Sequence, residues 1–318
     1  MQVMDIAHSL DQADFPDLDT LQGRYGWGKR THRVFDRMFG LKSTALHPDL
    51  SLTDGLMMSA KRLAQRNPEL IGHVDVVLYA HALNTSLPHE RSVLMDIAQD
   101  VFGSTPEVMS VTHGSCASAI MGLQLLRAMP RETPLNIVLL TGEKCFFEVL
   151  NYADNNGLFG EVTSAVFLRH GSDLGLQVKA TTAGVFDGVY APLAKADKEV
   201  TAAYDKAFLP TITAAAAQVM VQADLGPDQI DLILPTHLSP FTFNRVAEQL
   251  GIDSSKVVKQ NLSHIGHCFC GDLFINFETW QRSDLFQAAN DRAINVLSFA
   301  AGMTGSYAAI ILTQEPTQ

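Results

Sequence analysis

The sequence predicts an α/β protein built from two related halves. Three observations carry this reading. Short Val/Ile/Leu-rich runs alternate with helical spacings along the chain, the runs are continuously apolar, and segments of the first half recur in the second. Continuous apolar runs suit strands covered on both faces, and the alternation suits helices packed over parallel strands.

In chain order, residues 1–19 carry five Asp and no Lys or Arg, a poorly patterned stretch in which no strand is expected. Its charge is wrong for a signal or transit peptide. Strands are expected at 74–80, 108–112 and 136–141, with helices at 54–66 and 89–102. A helix at 118–129 follows a turn of small residues, and from Ala117 to Leu126 it has no charged residue, as expected of a helix buried all round. A strand at 163–168 closes the first half. The run HGSDLG at 170–175 supplies turn residues after it, so the halves are placed at 1–172 and 173–318. The second half then gives a helix at 200–223 and a strand at 231–235. A Ser-Pro turn leads into a helix at 241–250, and a polar, Gly-containing turn at 261–271 precedes a helix at 272–282. Strands at 293–299 and 306–313 end the chain.

The repeat is visible in two pairs of segments. GHVDVVLYAH at 72–81 resembles QIDLILPTH at 229–237, and LNIVLLTG at 135–142 resembles AINVLSFA at 293–300. A spacing of ~155 residues is far beyond the 20–50 of a solenoid and reads as a duplicated domain.

At 318 residues, 47% hydrophobic and 18% charged, the chain has the composition of an ordinary globular protein. No apolar run approaches the ~18–20 residues of a membrane span. A net charge of −11 argues against a general nucleic-acid binder. A cytoplasmic protein without membrane or nucleic-acid partners is expected. Cys116, Cys145, Cys268 and Cys270 are too few for a disulfide scaffold at this size and are expected as thiols.

Chemistry concentrates at 111–126, VTHGSCASAIMGLQLL. A β-run ends at Thr112 and a helix starts just after Cys116. Free N–H groups and the dipole at that helix N-terminus would face the sulfur and favour its thiolate. Small neighbours leave room for an acyl group. A buried structural thiol is the plain alternative. His237 ends the strand at 231–235, at the sheet edge where open α/β folds bind ligands. His264 and His267 lie in the 261–271 turn, which holds in the second half the position that Cys116 holds in the first. The run His264, His267, Cys268, Cys270 contains zinc-type ligands, but the spacing is too tight for one tetrahedron, and no metal is expected.

Four motifs in order then become specific: the Cys116 elbow, His237 followed by HIGH ending at His267, LFGE at 158–161, and FAAGMTG at 299–305. Together they resemble the thiolase superfamily, most nearly β-ketoacyl-acyl-carrier-protein synthase III. The resemblance implies a duplicated thiolase-like fold with mixed sheets in αβαβα layers. It implies that Cys116 accepts an acyl group from coenzyme A or an acyl-carrier protein and condenses it with a malonyl-type thioester. His237 and His267 would donate hydrogen bonds to the enolate, and backbone N–H groups of Cys116 and of Ala301 or Gly302 would form the oxyanion hole. Coenzyme A or phosphopantetheine enters as substrate, and no further cofactor is implied. A dimer is implied, with 83–91 reaching towards the partner; a homodimer is expected and a heterodimer is possible.

The departures are equally informative. His267 stands where synthase III has Asn, and EVTSA at 161–165 removes two glycines of the family's run. These differences fit a specialised relative, including one that transfers the acyl group to oxygen or nitrogen without condensation. A non-catalytic subunit of a heterodimer is the alternative of another class. For donor binding, Arg24, Lys29, Arg30, Arg33, Arg37 and Lys42 fall within nineteen residues with one acid, Asp36. Such a cluster suits coenzyme A phosphates or an acidic carrier protein. Arg37 resembles the family's nucleotide-contacting arginine, Arg33 is its neighbour, and Trp27 is the nearest tryptophan to the family's stacking position.

Overall fold

A computed structural model describes residues 1–83, 89–129, 134–144, 151–153, 157–171, 175–189, 197–237, 239–283 and 292–316. The chain opens on β1 (Gln2–His8) and continues through α1 (Leu18–Tyr25), α2 (Lys29–Arg33) and α3 (Leu52–Arg66). Then follow β2 (Val76–Ala80), α4 (Glu90–Phe102), β3 (Glu107–Val111), α5 (Ser118–Ala128), β4 (Leu135–Thr141), the short pair β5 (Tyr152–Ala153) and β6 (Gly157–Leu158), and β7 (Ser164–His170). The second half holds β8 (Leu176–Val185), α6 (Lys198–Gln222), β9 (Leu232–Leu234), α7 (Pro240–Leu250), α8 (Asp272–Gln281), β10 (Ile294–Ala301) and β11 (Ser306–Gln314). Every predicted helix and strand is present within a few residues of its expected bounds.

Nine strands run β3-β2-β4-β7-β1-β8-β11-β10-β9. The order repeats about its middle. In the first half, β2 is parallel to β3 and β4, while β7 is antiparallel to both β4 and β1. In the second, β9 is parallel to β10, and β11 is antiparallel to both β10 and β8. The counterpart of β3 is reduced to one parallel bridge, Ile233 to Val257. The halves meet where Gln2 and Val3 of β1 pair with Gln177 and Leu176 of β8.

The sheet is therefore mixed, as the resemblance implied: the parallel strands suggested by the alternation of elements are joined by β1, β7, β8 and β11 as antiparallel neighbours. Side-chain burial reports which faces are covered and carries no information on strand direction. The expectation of no opening strand is also corrected: β1 lies at the centre of the sheet. Its polar residues find partners there, Asp5 accepting from Asn67 Nδ2 at 2.7 Å and pairing with Arg66 Nε at 3.1 Å.

Alternate side chains along each strand feed opposite layers. From β2, Val76, Leu78 and Ala80 join the central core, and Val77 and Tyr79 pack against α3 and α4. From β10, Ile294, Val296 and Ala300 face the central core, and Leu297 and Phe299 face α6 and α7. The middle layer is α5 with α8, through Ile120, Leu123, Phe274 and Phe277. The layers are thus α3/α4, sheet, α5/α8, sheet, α6/α7. This layering brings the turns before α5 and α8 to one place. No helix among the described residues is long and apolar enough to cross a membrane.

Candidate active site

Cys116 sits in a single 3-10 turn, Ser115–Ala117, between β3 and α5. Ser115 has φ of 48°, a left-handed conformation that non-glycine residues adopt at a cost and that tight functional turns often retain. The turn is held down from the other half: Ser306 Oγ donates to Gly114 O at 2.7 Å. A Cβ on Gly302 would lie 2.4 Å from Gly114 O, so only glycine fits there.

His267 Nε2 lies 3.2 Å from Cys116 Sγ. On its other side, Nδ1 lies 2.5 Å from Asp272 Oδ2. Asp272 is the first residue of α8, where the helix dipole favours a negative charge. Its carboxylate also accepts the backbone N–H of Cys268 and of His237, each at 2.7 Å. An ionised carboxylate only accepts, so Nδ1 of His267 donates to it and Nε2 is left to face the sulfur. His267 and Asp272 are fully buried. Burial alone pulls the His267 ring down, but Asp272 and Cys116 outweigh it and the ring is pushed up to about 10. Burial pushes Asp272 upward, and the histidines and backbone donors more than reverse this, holding it below the usual carboxylate range.

Cys116 and His267 open on a cavity of 570 Å³, with Asp272 buried behind them. Ala82, Leu83, Phe159 and Phe269 box the sulfur in apolar surface. Phe159 and Phe269 stack at 4.9 Å and both lean on the His267 ring. The buried Glu143 takes the backbone N–H of Ala82 and Leu83, fixing that wall. Among the described lining residues there is no Lys or Arg.

Residues 220–313 match the family model of the C-terminal domain of 3-oxoacyl-[acyl-carrier-protein] synthase III. Among solved structures, the acyltransferase ChlB3 superposes with a TM-score of 0.80 at 13% identity, over 99% of this chain and 98% of that one. Synthase III of Thermus thermophilus gives 0.75 at 15% identity, over 100% of both chains. AbyA1, a tetronic acid condensing enzyme, gives 0.72 at 16%, over 98% of this chain and 99% of its own. The chain has the ketosynthase III fold. No curated protein sequence matches it.

Within the ketosynthase III fold the expected residues separate. Cys116 and His267 meet. His237, expected beside them, stands behind: its Nδ1 is 2.7 Å from Gly266 O and its Nε2 is 2.8 Å from Asn276 Oδ1. Asn276 is itself oriented by Nδ2 donating to Pro235 O at 2.8 Å. Both ring nitrogens of His237 are taken, and the role of donor to a substrate enolate is corrected to that of a brace for the Asp272 turn.

Of the two proposed oxyanion donors from the C-terminal turn, Gly302 is corrected, since its N–H donates to Ser306 O at 2.8 Å. Antiparallel ladders alternate bonded and non-bonded pairs, so the neighbouring Ala301 N–H turns away from β11. Trp27 is a third correction: it is 4% exposed and packed against Tyr25, Phe35 and Tyr152, with no face for a nucleotide base. Arg33 and Arg37 are exposed. Phe39 meets Phe241, which sets their segment beside the wall formed by Thr242 and Phe243.

Cys268 and Cys270 are buried, which pushes both thiols well up, and they face separate carbonyls, Gly266 O and Ser115 O. Cys145 and residues 84–88 of the expected dimer segment lie outside the described residues. Asp272 is the functional residue that sequence reasoning missed. Its signal was an acid opening the largely apolar run DLFINF five residues after His267.

Proposed function

We propose that this protein transfers an acyl group from a coenzyme A or carrier-protein thioester to oxygen or nitrogen, through an acyl-Cys116 intermediate. One observation carries the reading: Cys116, His267 and Asp272 form a hydrogen-bonded line with His267 in the middle. A histidine oriented by a buried carboxylate is a general base. In the first half-reaction His267 holds the Cys116 proton while the sulfur attacks the donor carbonyl. Collapse of the tetrahedral adduct breaks the donor C–S bond, and the departing thiolate takes the proton from His267. In the second, His267 Nε2 removes the proton of an acceptor hydroxyl or amine, which attacks the acyl-Cys116 carbonyl. The cysteine thiolate leaves and the acyl group is carried off as ester or amide. The N–H groups of Cys116 and Ala301 are the oxyanion donors of this scheme.

Decarboxylative condensation needs donors aimed at an enolate oxygen. With His237 committed to Gly266 and Asn276, His267 alone reaches the cavity, one group where the enolate scheme uses two. The ChlB3 match, the highest TM-score among those given above, is to a protein described as an acyltransferase. Intact-protein mass spectrometry with a panel of acyl-CoA and acyl-carrier-protein donors tests the first half-reaction, where the adduct is expected on the native chain and absent in Cys116→Ala. Incubating the acyl-enzyme with malonyl-type thioesters, alcohols and amines tests the second. Ester or amide without carbon dioxide is expected; carbon dioxide release with chain extension would overturn the acceptor assignment.

A further inference from the structure

The cavity lining carries a charge for which the transfer chemistry has no use. α6 presents Thr201, Tyr204, Asp205, Phe208 and Ile212 to the cavity, the i, i+3, i+4, i+7 spacing of one helix face continued by a further turn. Burial grades this face: Asp205 is exposed, Tyr204 and Phe208 are half-buried, and Ile212 is fully buried. The polar end is therefore the mouth and the apolar end the floor. From the start of α7, Ser239 and Thr242 add hydroxyls to the lining. Asp205 is the single carboxylate among the described lining residues, no lining Lys or Arg balances it, and it makes no ion pair among the described residues.

A lone charge at the mouth of a largely apolar cleft focuses its field into the cleft. Burial, Asp205 and Cys116 all push the Tyr204 phenol up, so that side chain stays a neutral hydroxyl beside the carboxylate. An anionic acceptor meets repulsion here. A cationic one meets a carboxylate beside the Tyr204 and Phe208 rings, residue types that suit an ammonium group.

We infer that Asp205, with Tyr204 beside it, selects an acceptor that carries an ammonium group apart from the hydroxyl or amine that receives the acyl group. This rests on the acyl-transfer reading, and its test is independent of turnover. Choline and its neutral isostere 3,3-dimethylbutan-1-ol are compared as protectants of Cys116 against alkylation by iodoacetamide, followed by intact mass. Each rate is normalised to that of the same protein without ligand. Native protein is expected to be protected at about fivefold lower choline than isostere, and the preference is expected to collapse toward parity in Asp205→Asn. Equal protection by both alcohols, no protection by either, or a preference unchanged in Asp205→Asn would each overturn the assignment. In parallel, absence of any acyl adduct on Cys116 would remove the acyl-transfer reading and leave the cation preference standing as a property of the cavity.

Discussion

Between Cys116 and Asp272 the His267 ring holds its protons where water is excluded, and the pH behaviour of the protein follows. The folded ring is pushed up to about 10, above the 6.5 of an unfolded histidine. The protonated ring therefore contributes its full stabilisation below pH ~6.5 and loses it as pH rises towards about 10. Urea midpoints are expected to fall from pH 7 to pH 10, and to fall less in Cys116→Ala, where one of the two groups raising the ring is gone. In Asp272→Asn the ring loses its anionic partner, and acyl loading is expected to slow by about 10²–10⁴-fold in rapid-quench mass spectrometry, in line with carboxylates that orient a catalytic histidine elsewhere. Cys116 was legible because a thiol in a turn of small residues before an uncharged helix is uncommon. His267 was legible through its position in the repeat. Asp272 was not, because an acid opening a helix most often caps it from solvent, and only the packing of α8 against α5 puts it in the interior. His237 was read from its strand end, yet which way a ring faces depends on partners such as Asn276, 39 residues away.

At the scale of single elements, the turn carrying Cys116 depends on the close approach of one glycine, Gly302, from elsewhere in the chain. Gly302→Ala would drive a methyl into Gly114 O and Ser115 Cβ. A loss of about 1–3 kcal/mol is expected in thermal or urea unfolding, together with a fall in Cys116 acylation. The bulk of Thr163, in the run where the family's glycines are missing, is absorbed by Gly55 and Gly142, whose added Cβ atoms would lie 3.0 and 2.6 Å from Thr163 Cγ2. Trp27 gives the opposite test: Trp27→Ala is expected to cost about 3–5 kcal/mol of stability while the donor KM of the remaining folded protein is unchanged. Calorimetry and donor titration separate these effects. Apolar periodicity made α3 to α8 readable, because each buries an apolar stripe; the expectation that α5 is buried all round is corrected, since Leu125 is exposed on its outer side. Periodicity failed for β1 and β8, whose strands mix Asp, His, Gln, Lys and Thr with apolar residues. Those polar groups are tolerated through partners supplied by α3, α5 and α6, which no local pattern reveals.

For the molecule as a whole, α5 and α8 form a single middle layer shared by both halves, and β1 pairs with β8 across the join. Neither half owns the central core. The fragments 1–172 and 173–318 are expected to be unfolded when made separately, and the full chain to unfold in one cooperative transition; circular dichroism of each fragment, alone and mixed, checks this. Independent folding of either fragment would contradict it. The duplication was visible in the sequence as two pairs of similar strands, but the loss of one strand was not. The second half ends at the Ile233–Val257 bridge, whereas the first ends at β3, a five-residue strand that stands last in the sheet among the described residues. The two ends of the sheet are therefore unequal. Sheet extension needs an edge strand with no strand beyond it, and among the described residues β3 is the one full-length edge. Two copies joined edge to edge along β3 would use it up and leave nothing for a third, so growth by this route stops at a closed pair and cannot run on into a fibre.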